Sequence, residues 1–183
     1  MKLAIADPPY YRRAQRWYGT HRGHQNGRGK PDQHPDAATW DQLDTHLELL
    51  ERLETEFDGW AYAGSPDYLA ALAPAIPAHA EIAVWRRGNA IPNGSRIRHL
   101  WEFVIVRVPD GRTARGTGLD VDDVLDSGIQ TRNRFVGAKP EAWTRWVLAL
   151  LGHDPGQDEV VDLFPGSGAV LTASDGLLPL PLA

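Results

Sequence analysis

The chain contains no cysteine. Disulfide scaffolds, thiolate-held zinc and cysteine nucleophiles are therefore excluded. It also lacks any apolar run near the ~18 residues that a membrane-spanning helix needs, so no membrane partner is expected. The N-terminus reaches Asp7, Pro8 and Pro9 before a signal-peptide core could form. Together these absences predict a soluble, cytoplasmic protein. No internal repeat or low-complexity tract is visible. His21, His24 and His34 have no carboxylate or fourth ligand at convincing spacing, so no metal site is expected. A dominant charge is missing too: 19 Lys and Arg stand against 24 Asp and Glu, for a net charge of −5. The total points to no partner class; the distribution does.

What is present is an ordinary globular composition, with 42% hydrophobic residues in 183. That suits one domain over residues 1–183, large enough to bury a core. Residues 3–6 form a short apolar run that stops at Asp7-Pro8-Pro9, which reads as a buried strand ending in a turn. Residues 11–35 follow as a basic loop, with Arg12, Arg13, Arg16, Arg22, Arg28 and Lys30 against Asp32. Next, Trp40, Leu43, Leu47, Leu50, Leu53 and Phe57 recur at helical spacing. Thr39 with Gln42 fits a capping box at the start of that helix. Strands are expected over residues 59–63, 81–85, 100–108 and 159–163, and helices over 66–72 and 141–151. Residues 109–137 read as irregular. Strands alternating with helices predict an α/β architecture with a mainly parallel sheet and helices on both faces.

Two turns carry chemistry. The first is Asp7-Pro8-Pro9-Tyr10, at the carboxyl end of a strand, where open α/β sheets bind ligands. Proline carbonyls only accept hydrogen bonds, and the ring fixes where they point. Asp7 and the Pro8 carbonyl suit the two hydrogens of an exocyclic amino group, and Tyr10 suits a stacked heterocycle. A plain strand-ending turn is the bland alternative. The second turn is Asp162-Leu163-Phe164-Pro165-Gly166-Ser167-Gly168. Its glycines let backbone amides approach a bound group closely. It is neither a P-loop nor a Gly-x-Gly-x-x-Gly dinucleotide turn.

Taken together, the turns resemble the amino-group DNA methyltransferases that use S-adenosylmethionine (SAM). Asp7-Pro8-Pro9-Tyr10 looks like their catalytic motif, and Asp162 to Gly168 like their cofactor motif. Gly137-Ala138-Lys139-Pro140 resembles the Lys-Pro segment before the cofactor strand. The catalytic motif comes first and the cofactor motif last, as in the circularly permuted beta class. The resemblance implies a Rossmann-like methyltransferase sheet, permuted and reduced. It implies SAM as cofactor and methyl transfer to N6 of adenine in DNA by a bacterial or phage-encoded enzyme. Asp7, Pro8, Pro9 and Tyr10 would be catalytic. Asp162, Phe164, Gly166, Ser167, Gly168, Lys139 and Pro140 would hold the cofactor.

Residues for nucleic acid follow from charge interleaved with aromatics: Tyr11, Arg12, Arg13, Arg16, Trp17, Arg22 and Arg28. Arg86, Arg87, Arg96 and Arg98 in residues 86–99 form a second patch, read as a reduced recognition segment. Glu102 sits in an apolar strand and needs a partner, for which Arg98 or Arg107 is expected. Trp143, Trp146 and Leu150 are expected in the core. After Gly168 the chain lacks the further strands in which the family holds the cofactor ribose. This predicts an exposed edge at the cofactor strand, covered by residues 169–183, by a second copy or by a partner subunit. It also keeps an alternative in play: a catalytically incomplete DNA-binding or assembly subunit. RNA or a free nucleotide as substrate stays open as well.

Overall fold

The computed structural model describes residues 1–19, 36–88, 96–116, 120–129 and 139–165. In chain order the elements are β1 (Lys2–Ala6), α1 (Ala14–Tyr18), α2 (Leu43–Glu56), β2 (Gly59–Gly64), α3 (Leu69–Leu72) and β3 (Glu81–Arg86). They continue with β4 (Trp101–Arg107), β5 (Val124–Asp126), α4 (Glu141–Leu150) and β6 (Glu159–Asp162). Short 3₁₀ turns occupy Thr39–Asp41, Pro66–Tyr68 and Ala73–Ala75. None of these helices is long and apolar enough to cross a membrane.

The strands form one sheet in the order β5-β3-β4-β2-β1-β6. Neighbours β1 and β2, β1 and β6, and β3 and β5 run parallel. Strand β4 runs antiparallel to both β2 and β3. The sheet is thus mainly parallel, with β4 reversed.

Alternating side chains divide the core into two layers. Leu3, Ile5, Ala61, Ala63, Trp85, Val104 and Val106 face Trp143, Trp146 and Val147 of α4. Ala4, Ala6, Trp60, Tyr62, Phe103 and Ile105 face Leu49, Leu50 and Leu53 of α2. The small Ala61 and Ala63 sit on the face that takes the two tryptophans. The large Trp60 and Tyr62 sit on the face that takes leucines. Volume is matched across each layer, as close packing requires. At the end of β2 a Cβ on Gly64 would lie 2.2 Å from Cζ of Phe103 and 2.6 Å from the Tyr68 hydroxyl, so only glycine fits there.

Helix α4 ends in a Schellman motif: Gly152 takes φ +62°, its N–H reaches the Ala149 carbonyl at 2.9 Å, and the His153 N–H reaches Leu148 at 3.0 Å. That stop turns the chain back into β6.

Three local expectations change. The capping box does not form: Thr39 lies in a 3₁₀ turn, and its carbonyl accepts from the Gln42 N–H at 3.0 Å and the Thr45 hydroxyl at 2.9 Å. Gln42, in extended conformation, precedes α2 instead. The basic loop begins with a helix, because Asp41 caps α1 from across the chain, accepting from the amides of Ala14 at 2.8 Å and Gln15 at 3.1 Å. Residues 20–35 lie outside the described residues. The stretch read as irregular contributes β5, whose pairing with β3 is a tertiary contact that three residues of sequence do not announce. Strand β6 does lie at the sheet edge among the described residues. The cover expected from residues 169–183 lies outside them.

Candidate active site

From β1 the chain crosses to β2 on one side, through α2 on one face. Strand β6 joins β1 on its other side, after α4 on the opposite face. The gap between β1 and β6 is therefore a topological switch point, where a crevice opens outside the carboxyl ends of the strands. The Asp7-Pro8-Pro9-Tyr10 turn and the described start of the second turn, Asp162 to Pro165, sit there. Asp7 follows β1 directly. Asp162 is paired in register with Ile5, and the Leu163 N–H bonds to the Ile5 carbonyl at 3.0 Å. Because β4 is reversed, its first residues reach the same edge, so Glu102 arrives beside Asp7. Arg87 comes there from the end of β3.

Lys139 joins these groups. Pro140 disfavours helical backbone at Lys139, so α4 begins after it and Lys139 stands ahead of the first turn. Its ammonium makes three contacts: Asp7 Oδ1 at 2.8 Å, Glu102 Oε2 at 3.0 Å and the Tyr10 hydroxyl at 2.7 Å. The Tyr10 hydroxyl donates to Glu102 Oε2 at 2.6 Å and lies 3.4 Å from Asp7 Oδ1. Arg87 closes the cluster, donating to Glu102 Oε1 at 2.8 Å and to the His99 carbonyl at 3.1 Å. The Lys139 ammonium also lies 5.2 to 5.6 Å from the ring centres of Tyr10, Trp143 and Trp85. Side-chain exposure is 7% for Lys139 and 8% for Glu102, but 24% for Asp7. Asp7 is thus the member that faces outward.

The electrostatics follow from this sharing. Burial raises the Asp7 carboxyl and outweighs the Lys139 ammonium that pulls it down; the Glu102 charge pushes it further up. Burial acts on Glu102 in the same direction, but Lys139 and Arg87 together bring it below its ordinary value. Burial would discharge Lys139, yet the two carboxylates hold its pKa above the usual lysine value. Two carboxylates and two cations balance, and the uneven share falls on Asp7.

Beside it, the second turn starts with an Asx turn: the Phe164 N–H bonds to Asp162 Oδ1 at 3.0 Å. Burial raises the Asp162 carboxyl, and the Phe164 amide opposes this. Phe164 packs edge-on to Trp40, with ring centres 5.0 Å apart. Gly166, Ser167 and Gly168 lie outside the described residues. The part described fits a sulfonium-bearing nucleoside with an amino-acid arm. A carboxylate accepts from an ammonium or a ribose hydroxyl, and aromatic walls favour both an adenine ring and a cation.

The remaining predicted residues are scattered. Pro8, Pro9 and Pro140 are buried. Tyr10 turns its hydroxyl inward, and Tyr11 packs edge-on to His46 and Tyr68. Arg12 and Arg16 are exposed, with their guanidinium groups 4.9 Å and 5.8 Å from the ring centres of Tyr11 and Trp17. Arg13 pairs with Asp67 at 2.8 Å. Arg86 pairs with Asp126, Arg87 turns into the cluster, and Arg96 and Arg98 are exposed. Arg22 and Arg28 lie outside the described residues. Lys139, expected with the cofactor turn, points at Asp7.

Glu102 pairs with Arg87 and Lys139, not with the expected Arg98 or Arg107. Arg98 is exposed, and Arg107 lies at the far end of β4, where it pairs with Glu54 at 3.4 Å. The isolation of Glu102 in an apolar strand is the available signal; its partners are Tyr10 of the Asp7 turn, Arg87 just after β3 and Lys139 ahead of α4. Trp143 and Trp146 are buried core residues as expected.

Among solved structures, the chain is similar to the crystal structure of the M1.HpyAVI–SAM complex, with a TM-score of 0.57 and 16% identity. The match covers 95% of this chain and 76% of that one. The chain has a Rossmann-like methyltransferase fold. At that identity the likeness is one of fold. No protein-family model matches the chain, and no curated protein matches it. Within this fold, the Asp7-Pro8-Pro9-Tyr10 turn follows the first strand and the turn that opens after Asp162 follows the last described strand.

Proposed function

We propose that this chain is a SAM-dependent DNA methyltransferase acting on the exocyclic N6 amino group of adenine. The observation that carries the reading is the adjacency of the two turns: Asp7 and Asp162 end neighbouring parallel strands at the switch point of the sheet. The bound cofactor supplies an electrophilic methyl group on a sulfonium. The chain does the rest. An aromatic amine is a weak nucleophile because its lone pair is delocalised into the ring. Asp7 and the Pro8 carbonyl accept its two N–H groups, favour a pyramidal nitrogen and stabilise the positive charge that develops there. The contacts of Asp7 among the described residues fall on Oδ1, which leaves Oδ2 for the amine. Its raised carboxyl also suits it to receive the proton that the methylated nitrogen sheds. In duplex DNA the base must first leave the stack. Exposed Arg12 and Arg16 beside the Asp7 turn suit phosphate contacts.

The test is transfer of a labelled methyl group from SAM to a mixed-sequence DNA duplex, with the product nucleoside identified by mass spectrometry. N6-methyladenine that disappears in Asp7→Ala is the expected result. Methylated cytosine, or label in RNA alone, overturns the substrate assignment. One observation favours the second reading, a catalytically incomplete DNA-binding or assembly subunit: Asp7 is already ion-paired to Lys139. Methyl transfer by the isolated chain eliminates that reading.

A further inference from the structure

Glu102 is buried at the carboxyl edge of the sheet and does not itself form the Asp7-Pro8 acceptor pair. Its two oxygens are divided. Oε1 receives Arg87, and Oε2 receives both the Tyr10 hydroxyl proton and the Lys139 ammonium. The Tyr10 hydroxyl has one proton to give. Two carboxylate oxygens lie near it, at 2.6 Å on Glu102 and 3.4 Å on Asp7. The shorter contact wins, so the proton goes to Glu102. Lys139 has two acidic neighbours at similar distance and is shared between them.

We infer that Glu102 is a positioning residue for Asp7: it draws the Tyr10 proton and half of the Lys139 ammonium away from Asp7, which keeps the Asp7 carboxylate a strong acceptor. This deepens the methyltransferase reading and rests on it for its catalytic meaning, but its physical content concerns Asp7 alone. Without the Glu102 charge, Tyr10 turns its proton to Asp7 Oδ1 and Lys139 pairs with Asp7 only. The carboxylate is then oversupplied with donors, so it holds a proton less well and accepts a weaker share of the charge on the amine. The titratable groups around Asp7 come from several neighbouring elements. They are Tyr10 in its own turn, Tyr18 on α1, Tyr62 on β2, Tyr68 after β2, Glu102 on β4 and Lys139 before α4. Of these, Glu102 and Lys139 carry charge at neutral pH. Arg87 bonds Glu102 and the His99 carbonyl rather than Asp7.

The experiment follows the Asp7 carboxyl by ¹³C NMR across a pH titration of the full chain, with no DNA and no cofactor. Asp7→Asn assigns the signal. Glu102→Gln is expected to lower the Asp7 midpoint by about one pH unit. Because Glu102→Gln leaves Arg87 short of a partner and risks misfolding, the same titration is made on Glu102→Gln with Arg87→Met. If Glu102 acts on Asp7, the downward shift persists in the double variant. If Glu102 serves only to pair Arg87, the midpoint stays at or returns to the wild-type value, and the inference is overturned. Turnover is the second readout. Glu102→Gln should cut kcat about tenfold and move the acid limb of its pH profile downward, with KM for DNA little changed. A wild-type chain that transfers no methyl group sinks the methyltransferase reading, whereas an unmoved Asp7 midpoint sinks this one.

Discussion

Two buried ion networks sit at opposite edges of one sheet, and they hold their carboxylates in opposite ways. At the amino edge, the Asp158 side chain is shielded from solvent. It receives Arg112 through two nitrogens at 2.5 and 2.9 Å, the Asp154 amide at 2.7 Å and the Met1 ammonium at 3.0 Å. Burial would raise its carboxyl, but the Arg112 hydrogen bonds, the amide and the ammonium outweigh burial and hold it well below the ordinary carboxylate range. At the carboxyl edge, Asp7 shares one lysine with Glu102, and burial wins. The first arrangement saturates an acceptor and ties the chain start to the β6 approach. The second leaves an acceptor hungry at the mouth of a crevice. The lesson is that burial of charge marks a site only when the donors fall short of the acceptors.

The largest expected effect tests the saturated network. Arg112→Met strips Asp158 of its main donors, leaving the Met1 ammonium as its remaining cation, and should cost about 3 kcal/mol in urea denaturation. SAM affinity of the folded fraction should hold. A loss below about 1 kcal/mol would erase the contrast between the two edges.

Asp7→Asn probes the hungry acceptor. Turnover should fall about 10²- to 10³-fold, while DNA affinity and urea midpoint barely move, because burial already disfavours this charge. A protein that unfolds on this change would make Asp7 a structural group like Asp158.

The pH dependence of stability separates the edges by sign. Asp158 and Glu102 have depressed folded values. Their contribution is complete above the unfolded carboxylate pKa of about 4 and is lost as pH falls through the folded values. Asp7 has a raised folded value, so its contribution declines as pH rises through that value. Urea titrations between about pH 2 and pH 7 should show Asp158→Asn flattening the acid limb and Asp7→Asn steepening it.

The smallest effect lies on the surface. Arg12→Gln with Arg16→Gln should weaken DNA binding and lower the slope of log affinity against log salt by about one per lost phosphate contact. An unchanged slope would move the DNA-binding surface elsewhere.

Much of this was legible in the chain before any fold. The two turns announced themselves because proline and glycine act on their own neighbours. The apolar repeat from Trp40 to Phe57 gave α2, although Asp41 was spent on capping α1, which no local pattern reveals. Strand β5 is not legible in the sequence, because three residues carry too little periodicity. Lys139 was visible as part of a Lys-Pro pair, but its direction was not.

The sequence by itself determined the strand-ending carboxylates, the turn chemistry and the alternation of helix and strand. These depend mainly on residues a few positions apart. The tertiary structure alone decided that Asp7 and Asp162 become neighbours, that Glu102 meets Lys139 and Arg87, and which carboxylate goes short of donors. Those outcomes depend on the order and direction of strands in the sheet. Reversing β4 relative to its neighbours is what carries Glu102 to the edge where Asp7 waits.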